Sequence, residues 1–162
     1  MPLVKHNGGW IIAASFIVAL LLTTIPLPGW LSDWRPAWVV MMLIYWCLVL
    51  PERVGIGIAW LLGLMLDVHT GALLGQNALG LAVIAYVTMR LHKQIRIYPP
   101  LQQSVLICFY LLLFQFLALW IRGIAGVPPQ HWTFWAPVVS TMLLWPIFFI
   151  IMRGIRRKYN VF

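Results

Sequence analysis

Six apolar blocks follow one another along this chain, at roughly 10–27, 37–50, 54–67, 72–89, 104–121 and 137–152. Helix breakers separate them: Ile25-Pro-Leu-Pro-Gly29, Pro51-Glu52-Arg53, His69-Thr-Gly71, Pro99-Pro100 and Pro128-Pro129. Backbone groups placed in hydrocarbon must satisfy one another, so apolar blocks in series predict helices that cross a bilayer. The second and third blocks are short. Some fourteen residues rise only about 21 Å, less than the roughly 30 Å hydrocarbon layer. Two readings are open there: two full spans, or a re-entrant hairpin with Glu52-Arg53 at its tip. Both return the chain to the same side. Two spans are favoured, because a buried Glu-Arg tip needs compensating partners and a cytoplasmic one needs none.

The first block follows Lys5 and superficially resembles a signal peptide. It has no small-x-small cleavage site before Pro26, and further spans follow, so a retained helix is expected.

Composition agrees with the pattern. At 63% hydrophobic and 9% charged residues the chain lies far outside the soluble range. The expected fold class is an all-α polytopic membrane protein, a six-helix bundle forming one integral membrane domain over residues 1–162. No soluble domain is expected at either end. Cys47 and Cys108 both fall inside apolar blocks and are expected to pack rather than to form a disulfide.

The net charge of +8 raises nucleic acid and anionic lipid as partners. Placing the N-terminus in the cytoplasm puts Lys5, Arg53, Arg90, Lys93, Arg96, Arg153, Arg156, Arg157 and Lys158 inside. Only Arg35 and Arg122 then fall outside. That bias predicts a multi-pass protein of the bacterial cytoplasmic (inner) membrane with both termini cytoplasmic. The basic loop at 90–96 and the basic tail read as topology signals and anionic-lipid contacts. Charge spread over short loops argues against nucleic acid.

The chain has three acids, Asp33, Glu52 and Asp67. Asp67 sits in an apolar stretch, where a carboxylate costs about 2.5–3.5 kcal/mol at a bilayer centre. Three readings are weighed: a cap for the next turn or helix with Gly71 supplying the break, a contact to a partner helix or internal ion pair, and a proton- or ion-coupling group. No second intramembrane carboxylate supports the last, and a catalytic dyad is excluded on the same ground. Gly71 and Gly75 have the GxxxG spacing that lets helices approach closely. They belong to a glycine cluster in the third and fourth blocks, where the tightest packing is expected. No same-side histidine pair has ligand spacing, and no phosphate loop, nucleophile elbow or zinc motif occurs. No catalytic residue, cofactor or metal site is expected. Trp10, Trp30, Trp34, Trp38, Trp132, Trp135 and Trp145 cluster near expected span ends and read as an aromatic belt.

Several of these elements occur together in one known family. Arg35-Pro-Ala-Trp38, Tyr45-Trp46, Leu50-Pro-Glu-Arg-Val-Gly55, and Gly63-Leu-Met-Leu-Asp67 with Gly71 and Leu74-Gly75 resemble the bacterial rod-shape-determining MreD family. Leu144-Trp-Pro146 and Met152-Arg153 are similar to its last span. The resemblance implies a non-enzymatic inner-membrane scaffold of the cell-elongation machinery. It implies binding to MreC and, through it, a link between the MreB filament, RodA and a class B penicillin-binding protein. It also implies a fold similar to the substrate-binding S-components of energy-coupling-factor transporters. Asp67, supported by Arg35, Gly71 and Gly75, is the group expected to bind the partner or hold the bundle. The alternative is a vitamin-type transporter subunit. A ligand-sized cavity under the outer loops would favour it, and the scarcity of polar residues in the outer half counts against it.

Overall fold

The computed structural model describes residues 8–127 and 131–161. The sequence assignments at Lys5, Pro128 and Pro129 lie outside the described residues. Helices account for the regular structure: α1 (Gly9–Thr24), α2 (Gly29–Ser32), α3 (Trp38–Val49), α4 (Ile56–Thr70), α5 (Gln76–Ile95), α6 (Pro100–Ile124) and α7 (Ala136–Lys158). A 3₁₀ turn, Trp132–Trp135, leads into α7. The six longer helices lie on the six apolar blocks. Two stretches, Pro100–Ile124 and Trp132–Lys158, are long and apolar enough to cross a membrane. α1, α3 and α4 are apolar but shorter.

Local chemistry sets several boundaries. Pro100 opens α6 at a position where its missing N–H costs no helix bond. Gly71 ends α4 with a left-handed φ of 67°, a conformation that a side chain disfavours.

α3 is the centre of the bundle. Every residue from Val39 to Val49 is buried, with α5, α1 and α7 packed around it. A helix apolar on all sides has no face to show water, and here it shows none. Two indoles pin the core through their N–H groups. Trp46 Nε1 donates to Ser15 Oγ at 2.8 Å, and Trp145 Nε1 donates to Gln103 Oε1 at 3.3 Å. Trp145 is therefore a core residue and leaves the expected aromatic belt, whereas Trp10, Trp30 and Trp132 are exposed. Cys47 is buried, its thiol 3.4 Å from the Val54 carbonyl oxygen.

The outer surface inverts the soluble arrangement. α6 presents Leu101, Val105, Phe109, Leu112, Phe116 and Trp120 outward, while Gln103 and Ser104 are buried. α7 likewise exposes Val139, Leu143, Ile147 and Ile150 while burying Thr141. Spacings of three and four place each set on one helix face. Such stripes suit lipid, and helix association then rests on close packing more than on the hydrophobic effect.

The tightest approach is between α4 and α5, the most closely paired helices. A Cβ on Gly63 would lie 2.2 Å from the Ala78 Cα, so only glycine permits this crossing. Gly80 similarly accommodates the Phe114 ring. Gly71 and Gly75 do not form the expected helix contact. Both lie in the α4–α5 turn with left-handed φ values of 67° and 97°, and a Cβ on either would meet nothing within 4 Å. Their GxxxG spacing is therefore a coincidence of turn geometry.

The two ends of the bundle differ. Asp33, Thr70, Arg122 and His131 gather at one, around the α4–α5 turn. Arg96, Tyr98, Arg153 and Arg156 gather at the other.

Candidate functional site

The α4–α5 turn is organised by one residue. The Asp67 main-chain carbonyl accepts the N–H of Gly71 and that of Ala72 at 3.1 Å. Its carboxylate reaches across the turn: Oδ2 accepts from the Gly75 N–H at 2.8 Å, and Oδ1 from the Asn77 N–H at 2.8 Å. Four backbone donors thus converge on Asp67. The donors at Gly75 and Asn77 belong to the first turn of α5, where N–H groups have no partner within the helix and a negative charge is favoured. Asp67 itself is only 1% exposed, with both oxygens engaged. His69, two residues on, points away and is exposed. This is the capping arrangement, made by an acid at the end of one helix reaching the start of the next.

Arg35 is placed elsewhere. Its guanidinium donates to the Thr23 carbonyl and to the Ile25 carbonyl at 2.6 Å, binding the last turn of α1 to the segment before α3. Its Nε is buried with no hydrogen-bond partner among the described residues. The structure therefore brings Asp67, Gly71 and Gly75 together in one turn, while Arg35 holds a different turn.

A cleft of about 520 Å³ opens beside the Asp67 turn. Gln76 and Asn77 line it from the start of α5, Gln115 and Arg122 from α6, and Asp33 and Thr133 from the connecting segments. Gln115 Nε2 donates to the Phe134 carbonyl at 3.1 Å, which ties α6 to the 3₁₀ turn. The Arg122 guanidinium lies over the Phe134 ring, 5.4 Å from its centre. The polar side chains missing from the linear reading are thus supplied by segments far apart in sequence. Amides, hydroxyls and single charges of both signs, set in a concavity, suit hydrogen-bonded recognition of a polar segment or small molecule. One sequence signal was available for them: Gln115 is an isolated amide inside an apolar block, and such residues are functional candidates at membrane depth.

A model of the family described as rod shape-determining protein MreD matches residues 4–155, a stretch that contains the Asp67 turn, Arg35 and the cleft. The chain belongs to the MreD family. The rod shape-determining protein MreD of Haemophilus influenzae is 33% identical over 150 residues, covering 93% of each chain. No solved structure matches the chain. Family membership gives this MreD-family chain a role in determining rod shape and an association with the membrane. The apolar stripes on α6 and α7 are the physical counterpart of that association.

Proposed function

We propose that the chain is a non-enzymatic scaffold of the cell-elongation machinery, one domain of six spans in the bacterial inner membrane. In this reading the Asp67 end faces outward and both termini are cytoplasmic. The bundle has an arrangement similar to that of the transporter S-components. It binds MreC, and through MreC it couples the MreB filament to RodA and a class B penicillin-binding protein.

The observation that carries this reading, beyond family membership, is the pairing of the Asp67 turn with the polar cleft. The turn fixes the start of α5 and so holds Gln76 and Asn77 at the cleft wall. A partner's membrane segment can then pack on the apolar helix faces and place a few polar groups in the cleft, each contact worth about 0.6–2 kcal/mol. Asp67 acts as a bundle-supporting residue, because both carboxylate oxygens are already engaged. The distribution of basic residues supports the orientation. Arg122 lies at the Asp67 end, while Arg96, Arg153 and Arg156 gather at the opposite end.

Affinity purification of the tagged chain from native membranes in mild detergent, followed by mass spectrometry, tests the partner set. Recovery of MreC-like and cell-wall synthase subunits is expected from the wild type, with clear loss from Asp67→Ala. The cleft volume also favours a second reading, a small-molecule-binding subunit of vitamin-transporter type. Co-purification of an ATPase pair with a coupling subunit, in place of the synthases, would replace the scaffold reading with that one.

A further inference from the structure

At the Arg96 end, a second concavity of about 380 Å³ lies between the end of α3, the α5–α6 turn and the last turns of α7. Three guanidinium groups line it: Arg96 follows α5, and Arg153 and Arg156 stand one turn apart on α7. No acidic residue is among its lining residues. The acid nearest in the chain to this end's helix termini, Glu52, lies in the 51–54 turn and does not reach the lining. Arg96 Nη2 donates to the Val49 carbonyl at 3.3 Å, leaving its other donors available. Arg153 and Arg156 have no carboxylate partner among the described residues.

Clustered like charges without a counter-ion repel one another, and a bound anion removes the repulsion. We propose that this concavity is a binding site for the phosphodiester headgroup of an acidic phospholipid. The guanidinium fork matches phosphate oxygens two at a time, which a diffuse set of lysines does not do. Basic pockets between membrane helices on the cytoplasmic side take such headgroups.

The apolar surroundings assign the phosphate to a lipid and not to a soluble metabolite. Leu48, Val49 and Phe149 wall the concavity. Ile97 at its edge is 83% exposed, and Leu101, the second residue of α6, is 75% exposed. These side chains offer acyl chains a path directly beside the headgroup. The proposal deepens the reading of the basic residues as anionic-lipid contacts by giving them one structured site. It is independent of which protein partner binds at the other end.

Native mass spectrometry of the full chain, released from detergent and titrated with phosphatidylglycerol or phosphatidylcholine, tests it. Wild type is expected to retain phosphatidylglycerol at least about tenfold more tightly, as charge-assisted hydrogen bonds allow. The double variant Arg153→Gln/Arg156→Gln should lose that preference, while the equally neutralised Arg90→Gln/Lys93→Gln should keep it. Arg96 is left unchanged because it also holds the end of α3. Equal loss in the two double variants would overturn the site in favour of diffuse charge. Displacement of the lipid by millimolar glycerol phosphate would overturn the lipid assignment in favour of a soluble phosphate. Extraction of the chain without detergent would instead sink the membrane reading itself, and so is distinguishable from both.

Discussion

A single carboxylate carries the α4–α5 turn. If Asp67 is replaced by alanine, the N–H groups of Gly75 and Asn77 lose their acceptors, the second of them in a buried position. Each orphaned donor costs about 1–3 kcal/mol, the half-buried Gly75 N–H at the low end, so Asp67→Ala should destabilise the chain by about 2–4 kcal/mol. Asp67→Asn keeps one acceptor oxygen and should fall between. Asp33 is exposed and makes no comparable bonds, so Asp33→Ala should be neutral for stability. Thermal unfolding of the purified variants in detergent measures this, and complementation of a rod-shape defect reads the consequence. Matching, negligible effects for Asp67→Ala and Asp33→Ala at normal protein levels would remove Asp67 from both roles. The cost of a carboxylate among leucines identifies the residue from sequence. Its partners are backbone groups eight and ten residues away, and nothing in the side-chain pattern marks those.

At the scale of helices, the apolar blocks locate the elements well and their ends poorly, for a physical reason. Hydropathy follows the solvent around a segment, whereas a helix continues as long as its backbone bonds do. The block at 72–89 therefore stops before Arg90, although α5 runs on to Ile95. The block at 137–152 similarly stops short of the basic end of α7, which continues to Lys158. α2 and the 3₁₀ turn have four residues each, too few for any periodicity to show. Glycine spacing misleads in the same stretch where glycine content informs. The cluster does mark the closest helix pair, but the contact residue is Gly63 and not the Gly71/Gly75 pair. Gly63→Ala should force α4 from α5 and cost about 1–3 kcal/mol. Gly57→Ala, on the same helix with nothing near its added methyl, should be neutral or stabilise by about 0.5–1 kcal/mol. Unfolding of the two variants in SDS titrations separates them. Similar midpoints would mean that the α4–α5 crossing is looser than 2.2 Å geometry requires.

The whole molecule combines a central apolar helix, an apolar perimeter and two chemically different ends, and orientation turns these into function. The polar cleft can meet a periplasmic partner segment only if the Asp67 end faces outward. The arginine concavity can meet the cytoplasmic leaflet only if the opposite end faces inward. Both follow from one topology, so one experiment bears on both. Cys47→Ala/Cys108→Ala supplies a background free of native thiols. In that background, Ser32→Cys reports on the Asp67 end and Lys93→Cys on the opposite one. Both positions are exposed. A membrane-impermeant maleimide added to intact spheroplasts should label Ser32→Cys and spare Lys93→Cys, and inverted vesicles should give the reverse. Labelling of both from one side would overturn the six-span arrangement, because an odd number of crossings could no longer separate residue 32 from residue 93. A clean reversal of the expected sides would leave the bundle intact. It would instead turn the cleft toward the cytoplasm, where a periplasmic partner segment could not reach it.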